Sequence, residues 1–105
     1  MIRLTEESCI YVAIQPVDFR KQLDGLIAVC EHQLKQSTRT GGWFVFINRA
    51  RTMVRALVYD QNGYWLATKR LSRGRYQYWP KSMEALTSLM AERMMRLFKN
   101  EGDDA

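Results

Sequence analysis

Histidine occurs once in this chain of 105 residues, and cysteine and proline twice each. Cys9, Cys30 and His32 do not have the paired spacing of a zinc site. His32, between Glu31 and Gln33 on an expected helix, reads as a surface or core-edge residue. Both cysteines sit among apolar neighbours and read as small buried hydrophobes, and nothing requires a disulfide. There is no phosphate-cradling glycine loop, no GxGxxG and no nucleophile elbow. No apolar run approaches the roughly 18 residues needed to cross a membrane. The first fifteen residues carry Arg3, then Glu6 and Glu7, without a long apolar core. No secretory signal and no membrane partner are therefore expected, and the cytoplasm is the expected compartment.

Carboxylates are scarce where they would matter. Metal-dependent strand cleavage and transfer needs acids converging on two metal ions. Asp18 and Asp24 are explained as helix-start residues, and Asp60 begins a turn, a position aspartate favours. Of the remaining acids, Glu31 falls on the first expected helix and the others on a C-terminal helix or near the termini. No catalytic residue, metal ligand or cofactor is expected. A small metal-dependent nuclease using Asp60 is the least favoured reading.

What the chain has instead is positive charge in one place. Nine basic residues lie between Arg39 and Lys81: Arg39, Arg49, Arg51, Arg55, Lys69, Arg70, Arg73, Arg75 and Lys81. Asp60 is the only acid among them, so this segment carries +8 of a chain whose net charge is +5. Charge gathered on one segment creates a local field, and a polyanion such as nucleic acid is its natural partner. Mean hydropathy is −0.36, and 47% of residues are hydrophobic, enough for one modest core. The length gives a single domain, expected over 1–100, followed by a disordered acidic tail over 101–105.

Residues 9–14 are a short apolar run rich in strand formers. Pro16 ends it, and Asp18 can cap a helix opening at Phe19, or the helix starts near Asp24 after a looser turn. Phe19, Leu23, Leu26, Ile27, Cys30 and Leu34 then share one helical face. Trp43 to Ile47, Met53 to Tyr59 and Tyr64 to Leu71 read as three strands. Asn62-Gly63 between the last two is a strong hairpin signal, because a type I′ turn needs positive φ at both central residues. A second helix is expected from Ser82, with Met83, Leu86, Met90, Met94 and Leu97 as its apolar stripe. The predicted class is α+β: an antiparallel β-meander with an N-terminal strand and two helices packed on one face.

A two-residue Asn-Gly loop would set Val58 opposite Ala67, Leu57 opposite Thr68 and Arg55 opposite Arg70. Opposed residues share a face. One face then carries Val54, Ala56, Val58, Trp65 and Ala67 and reads as the core side, with Lys69 near its end. The other carries Arg55, Leu57, Tyr59, Leu66, Thr68 and Arg70. Two opposed arginines are tolerable if they splay into water, and favourable if a phosphate bridges them. In a meander, the loop before the second strand and the segment after the third lie at the same end. Arg49, Arg51, Arg55, Arg70, Arg73 and Arg75 are therefore expected in one patch, with Tyr76, Tyr78 and Trp79 just beyond. Tyr76 is the nominated stacking residue for an exposed base, although at least one of the three aromatics is expected to serve the core.

Several blocks also carry a resemblance. They are Pro16 to Lys21 with Leu23 to Leu26, Gly42 to Phe46 with Asn48-Arg49, Leu57 to Asp60 with Gly63 to Leu66, and Lys69 to Tyr76. In that order they resemble the small TnpB-type accessory protein encoded by the second reading frame of insertion sequences of family sixty-six. The likeness covers about residues 10–80, and the part from Pro80 on matches less well. It implies a bacterial mobile-element protein that assists a separate transposase without itself cutting DNA, and it supplies no binding residues. The leading reading joins it to the charge: a non-catalytic accessory protein that binds DNA through a basic patch. The second is a protein-interaction module that docks on the transposase of the same element or on another element-encoded protein. A homo-oligomer is compatible with either.

Overall fold

In a computed structural model the described residues are 4–81 and 86–101. They form a five-stranded sheet with a helix on each side. The strands are β1 (Ile10–Ala13), β2 (Trp43–Ile47), β3 (Met53–Asp60), β4 (Gly63–Arg70) and β5 (Leu86–Leu89); the helices are α1 (Leu23–Ala28) and α2 (Ala91–Phe98). The sheet order is β4-β3-β2-β1-β5. β2, β3 and β4 make the expected antiparallel meander, β1 runs parallel to β2, and β5 pairs antiparallel with β1. The α+β class therefore holds, with one parallel pair in a mostly antiparallel sheet.

The helices are divided between the two faces, where both were expected on one. Ile10, Val12, Val45, Ile47, Val54 and Ala56 face Tyr76, Trp79, Met94 and Leu97. Ala13, Phe44, Phe46 and Leu57 face Leu26, Val29 and Cys30. The reason lies in the central strands. β2 is apolar at every position, so it has no face to give to water and both sides need cover. The second face, read as solvent-facing from Arg55 and Thr68, has the fully buried Leu57 at its centre.

The N-terminal helix takes the later of its two expected starts. Its six expected apolar residues all join one cluster, but regular helix begins only at Leu23 and continues past Ala28 as a π-helical turn over Val29–Gln33. Asp18 caps a tight turn before it: Arg20 N donates to Asp18 Oδ1 at 2.9 Å, and Lys21 N to the Asp18 carbonyl at 3.0 Å.

The C-terminal helix is shorter than expected. Leu86 to Leu89 form β5, and helix begins at Ala91. β1 explains this. Flanked by β2 on one side, it has a ladder edge on the other, and β5 gives the backbone groups of that edge their partners. Ser82 and Met83 lie outside the described residues, as does the expected acidic tail from 102 on. Lys69 Nζ donates to the Phe98 carbonyl at 2.8 Å, placing a cation on the C-terminus of α2.

A candidate basic surface at one end of the sheet

The loop between β2 and β3 is built around Asn48. Its Oδ1 accepts from Thr52 N at 2.9 Å and Met53 N at 3.0 Å, and its Nδ2 donates to Thr52 Oγ1 at 3.1 Å. Asn48 is itself buried and held against Val17 by a short parallel bridge. This scaffold lifts Arg49 and Arg51 into solvent. Arg51 adopts φ +62, a left-handed conformation that costs a non-glycine residue about 1–2 kcal/mol.

The segment after β4 folds back onto that loop. Leu71 N donates to the Thr52 carbonyl at 2.9 Å, and Tyr76 N to the Arg51 carbonyl at 2.7 Å. Between these anchors Gly74 takes φ +77, so the chain can arch and return. Arg73 and Arg75 stand exposed on the arch. Asn100, just past α2, fixes its far side: Nδ2 donates to the Arg75 carbonyl and Oδ1 accepts from Gln77 N, each at 2.9 Å. Arg70, exposed at the end of β4, pairs across to Met53. The backbones carrying Arg49, Arg51, Arg70, Arg73 and Arg75 thus meet at one end of the sheet. Among the described residues, no carboxylate is hydrogen-bonded to any of these five side chains.

Two nominated residues have other roles. The hairpin turns one residue early: Gln61 carries the positive φ of +55, Asp60 pairs with Gly63, and every β4 partner lies two residues lower than the Asn-Gly turn predicts. Because side chains alternate with period two, a two-residue shift leaves each residue on its predicted face. It does separate the arginines. Arg55 now opposes Thr68, and its Nε donates to Thr68 Oγ1 at 3.0 Å. Its Nη1 donates to the carbonyls of Phe19 and Lys21, each at 2.9 Å. Arg55 is therefore a clamp between the N-terminal turn and the sheet. The register follows from side-chain fit: Tyr64 packs edge-on against Tyr59 at 4.9 Å and its hydroxyl meets Thr38 Oγ1 at 2.8 Å.

Tyr76 is not a stacking residue. It is 2% exposed, inside the cluster beneath α2, and its hydroxyl is the one buried side-chain polar atom without a partner among the described residues. Burial pushes its phenol pKa up. Trp79 is buried too, donating Nε1–H to the Ala13 carbonyl at 2.9 Å. Of the three aromatics only Tyr78 is exposed.

Beside the Asn48 loop lies a groove of about 460 Å³, lined on one wall by Asp18, Phe19 and Arg20 and on the other by Arg49, Met53 and Arg55. Sequence reasoning assigned Asp18 to a helix cap and left Arg20 out. Here the two form a forked pair: Arg20 Nε lies 3.1 and 2.9 Å from Asp18 Oδ1 and Oδ2, and Nη2 lies 2.7 Å from Oδ2. Hydrogen bonds from Arg20, then its charge and that of Arg49, hold the Asp18 carboxyl down at about 2. The signal for this pair was an acid and a base two residues apart in a proline-led turn.

Comparison with known proteins fits these residues into a wider group. The family described as IS66 Orf2 like protein matches residues 8–101. The chain belongs to that family. The match takes in β5 and α2, so the C-terminal part, expected to match less well, is part of the family's unit. The family is one of insertion-sequence accessory proteins and is not a known enzyme class. The chain is also similar to a protein of Sinorhizobium fredii (strain NBRC 101917 / NGR234) called "Uncharacterized protein y4jC", with 36% identity over 77 residues. That stretch is 73% of this chain and 66% of the relative, so the chain spans just under two thirds of the relative's length. No solved structure matches. Among the described residues, no helix is long and apolar enough to cross a membrane, and no three His, Cys, Asp or Glu residues are grouped to hold a metal ion.

Proposed function

We propose that this protein assists DNA transposition by holding nucleic-acid phosphates on the surface formed by Arg49, Arg51, Arg70, Arg73 and Arg75. One observation carries the reading: the Tyr76 N to Arg51 carbonyl bond of 2.7 Å, which seats the Arg73–Arg75 arch on the Arg49–Arg51 loop. Two stretches of chain separated by a whole hairpin then offer their guanidinium groups together. Guanidinium pairs with phosphate through parallel N–H···O bonds, and such contacts position the duplex without reading its bases. The left-handed Arg51 supports this, since glycine would fit that backbone without strain but would remove a charge.

The test is binding to a short mixed-sequence duplex as a function of salt. Each neutralised phosphate adds about 0.9 to the slope of log K against log salt. Several contacts give a steep slope, and a slope near zero rejects the proposal. Charge reversal at Arg49, Arg51, Arg73 and Arg75 together should abolish retention on DNA.

A second reading rests on α2. Met90 is 71% exposed and Met95 45%, and methionine packs adaptably against varied partners. This would make the chain a module docking on the transposase of the same element. A complex with the transposase that survives nuclease treatment supports that reading, and one that dissolves supports the first.

A further inference from the structure

The charged residues of the groove beside the Asn48 loop are basic but for one acid. Arg20, Arg49 and Arg55 line it with Asp18. Arg55 is fixed by two backbone carbonyls and a threonine hydroxyl, so it contributes charge but its Nη1 and Nε are engaged. Arg20 is different. Its side chain is 91% exposed, and its only bonded partner among the described residues is the Asp18 carboxylate.

We infer that the Asp18 carboxylate is a built-in stand-in for a phosphate: Arg20 and Arg49 form a further subsite for one nucleic-acid phosphate, which Asp18 fills until the polyanion displaces it from Arg20. The inference rests on the nucleic-acid reading above and adds two residues to it, one favourable and one opposing.

Geometry supports the exchange. Both carboxylate oxygens face the guanidinium fork, and the two non-bridging oxygens of a phosphodiester offer the same spacing and charge. Arg20 is 91% exposed and Asp18 33%, and an ion pair at the surface is worth little in water, so Arg20 can change partners at small cost. The groove opens beside Arg49, whose neighbouring loop residue Arg51 already lies in the proposed patch. The turn also does not need the carboxylate's charge. It is held by Arg20 N on Oδ1 and Lys21 N on the Asp18 carbonyl, and asparagine keeps both acceptors.

The consequence is a brake. Asp18 weakens binding, because the polyanion must displace it from Arg20 before a phosphate can take its place. The experiment compares the natural chain, Asp18→Asn, Asp18→Ser and Asp18→Asn/Arg20→Gln by salt titration on the same duplex, with a thermal melt of each. The expected result is several-fold tighter binding for both single variants with a slope no shallower than that of the natural chain, and in the double variant loss of that gain with a slope shallower by about 0.9 than in Asp18→Asn, since Arg20 no longer takes its phosphate. Two substitutions that keep the turn acceptor guard against one failing to fold. Unchanged affinity in a folded Asp18→Asn or Asp18→Ser, while the natural chain shows a steep slope, overturns the inference and leaves the basic surface standing. A gain that persists in the double variant also overturns it, because Arg20 would then not be the released group. A flat slope in the natural chain overturns both.

Discussion

The guanidinium of Arg55 lies 4.5 Å from the centroid of the Phe19 ring. This contact joins a residue of the central hairpin to the turn that precedes the first helix, 36 positions earlier. With two carbonyl bonds and one hydroxyl bond at its other edges, the cation is held on three sides. Charged hydrogen bonds are the stronger kind, and stacking on an aromatic face adds to them.

Replacing Arg55 by alanine should therefore act on stability first. A loss of about 2–3 kcal/mol is expected, from hydrogen bonds to a charged donor and the lost ring contact. Lysine keeps the charge but not the fork, so Arg55→Lys should melt earlier while its DNA-binding salt slope stays that of the natural chain. Calorimetry and the salt titration together check this. A flattened slope with an unchanged melting temperature would return Arg55 to the binding surface.

Tyr76→Phe should leave the protein as stable or more stable. The phenol oxygen is buried without a hydrogen-bond partner, and removing such a group relieves about 1–2 kcal/mol of desolvation. Tyr76→Ala should instead cost about 3–5 kcal/mol through the cavity it leaves. DNA affinity should not change in Tyr76→Phe. Denaturant titration measures the first two effects, and a loss of stability in Tyr76→Phe would reveal an acceptor for that hydroxyl.

Cys30 should be inert and Cys9 reactive. Burial, with the nearby Glu31 charge second, pushes the Cys30 thiol up to about 12 from 9.0. Cys9 is exposed. At about pH 8 a thiol reagent should modify one cysteine in the native protein and both in denaturant. The raised value also sets a pH dependence. The folded state holds this proton more tightly, so the contribution is fully present below 9.0 and is lost as pH rises from there toward about 12. Tyr76 adds in the same direction, because its phenol is also raised. Alkaline unfolding curves of Cys30→Ala in a Tyr76→Phe background should be flatter over that window than those of Tyr76→Phe alone.

Residues 54–58 show how far local pattern reaches. Alternation alone assigned Val54, Ala56 and Val58 to one face and Leu57 to the other. The assignment survives a turn one residue away from the expected place, because parity does not depend on which residues make the turn. The concentration of arginine before and after this hairpin is equally a property of the chain, and meander connectivity then puts those loops at one end. The blocks from Pro16 to Tyr76 likewise carry the family membership without any fold.

What pattern could not decide was every matter settled by contact between distant stretches. Arg55 reads as a surface cation until Phe19 and Lys21 present two carbonyls to it. Tyr76 sits among basic residues in sequence, yet its backbone N–H is drawn to Arg51 and its ring turns under α2. Leu86 to Leu89 fit a helical stripe as well as a strand, and the free edge of β1 selects the strand. Asp18 and Arg20 look like a cap and a bystander until the Asn48 loop brings Arg49 beside them. Hydrophobic period and local charge are written in adjacent residues, whereas hydrogen-bond partners and the exclusion of water are supplied by segments far along the chain.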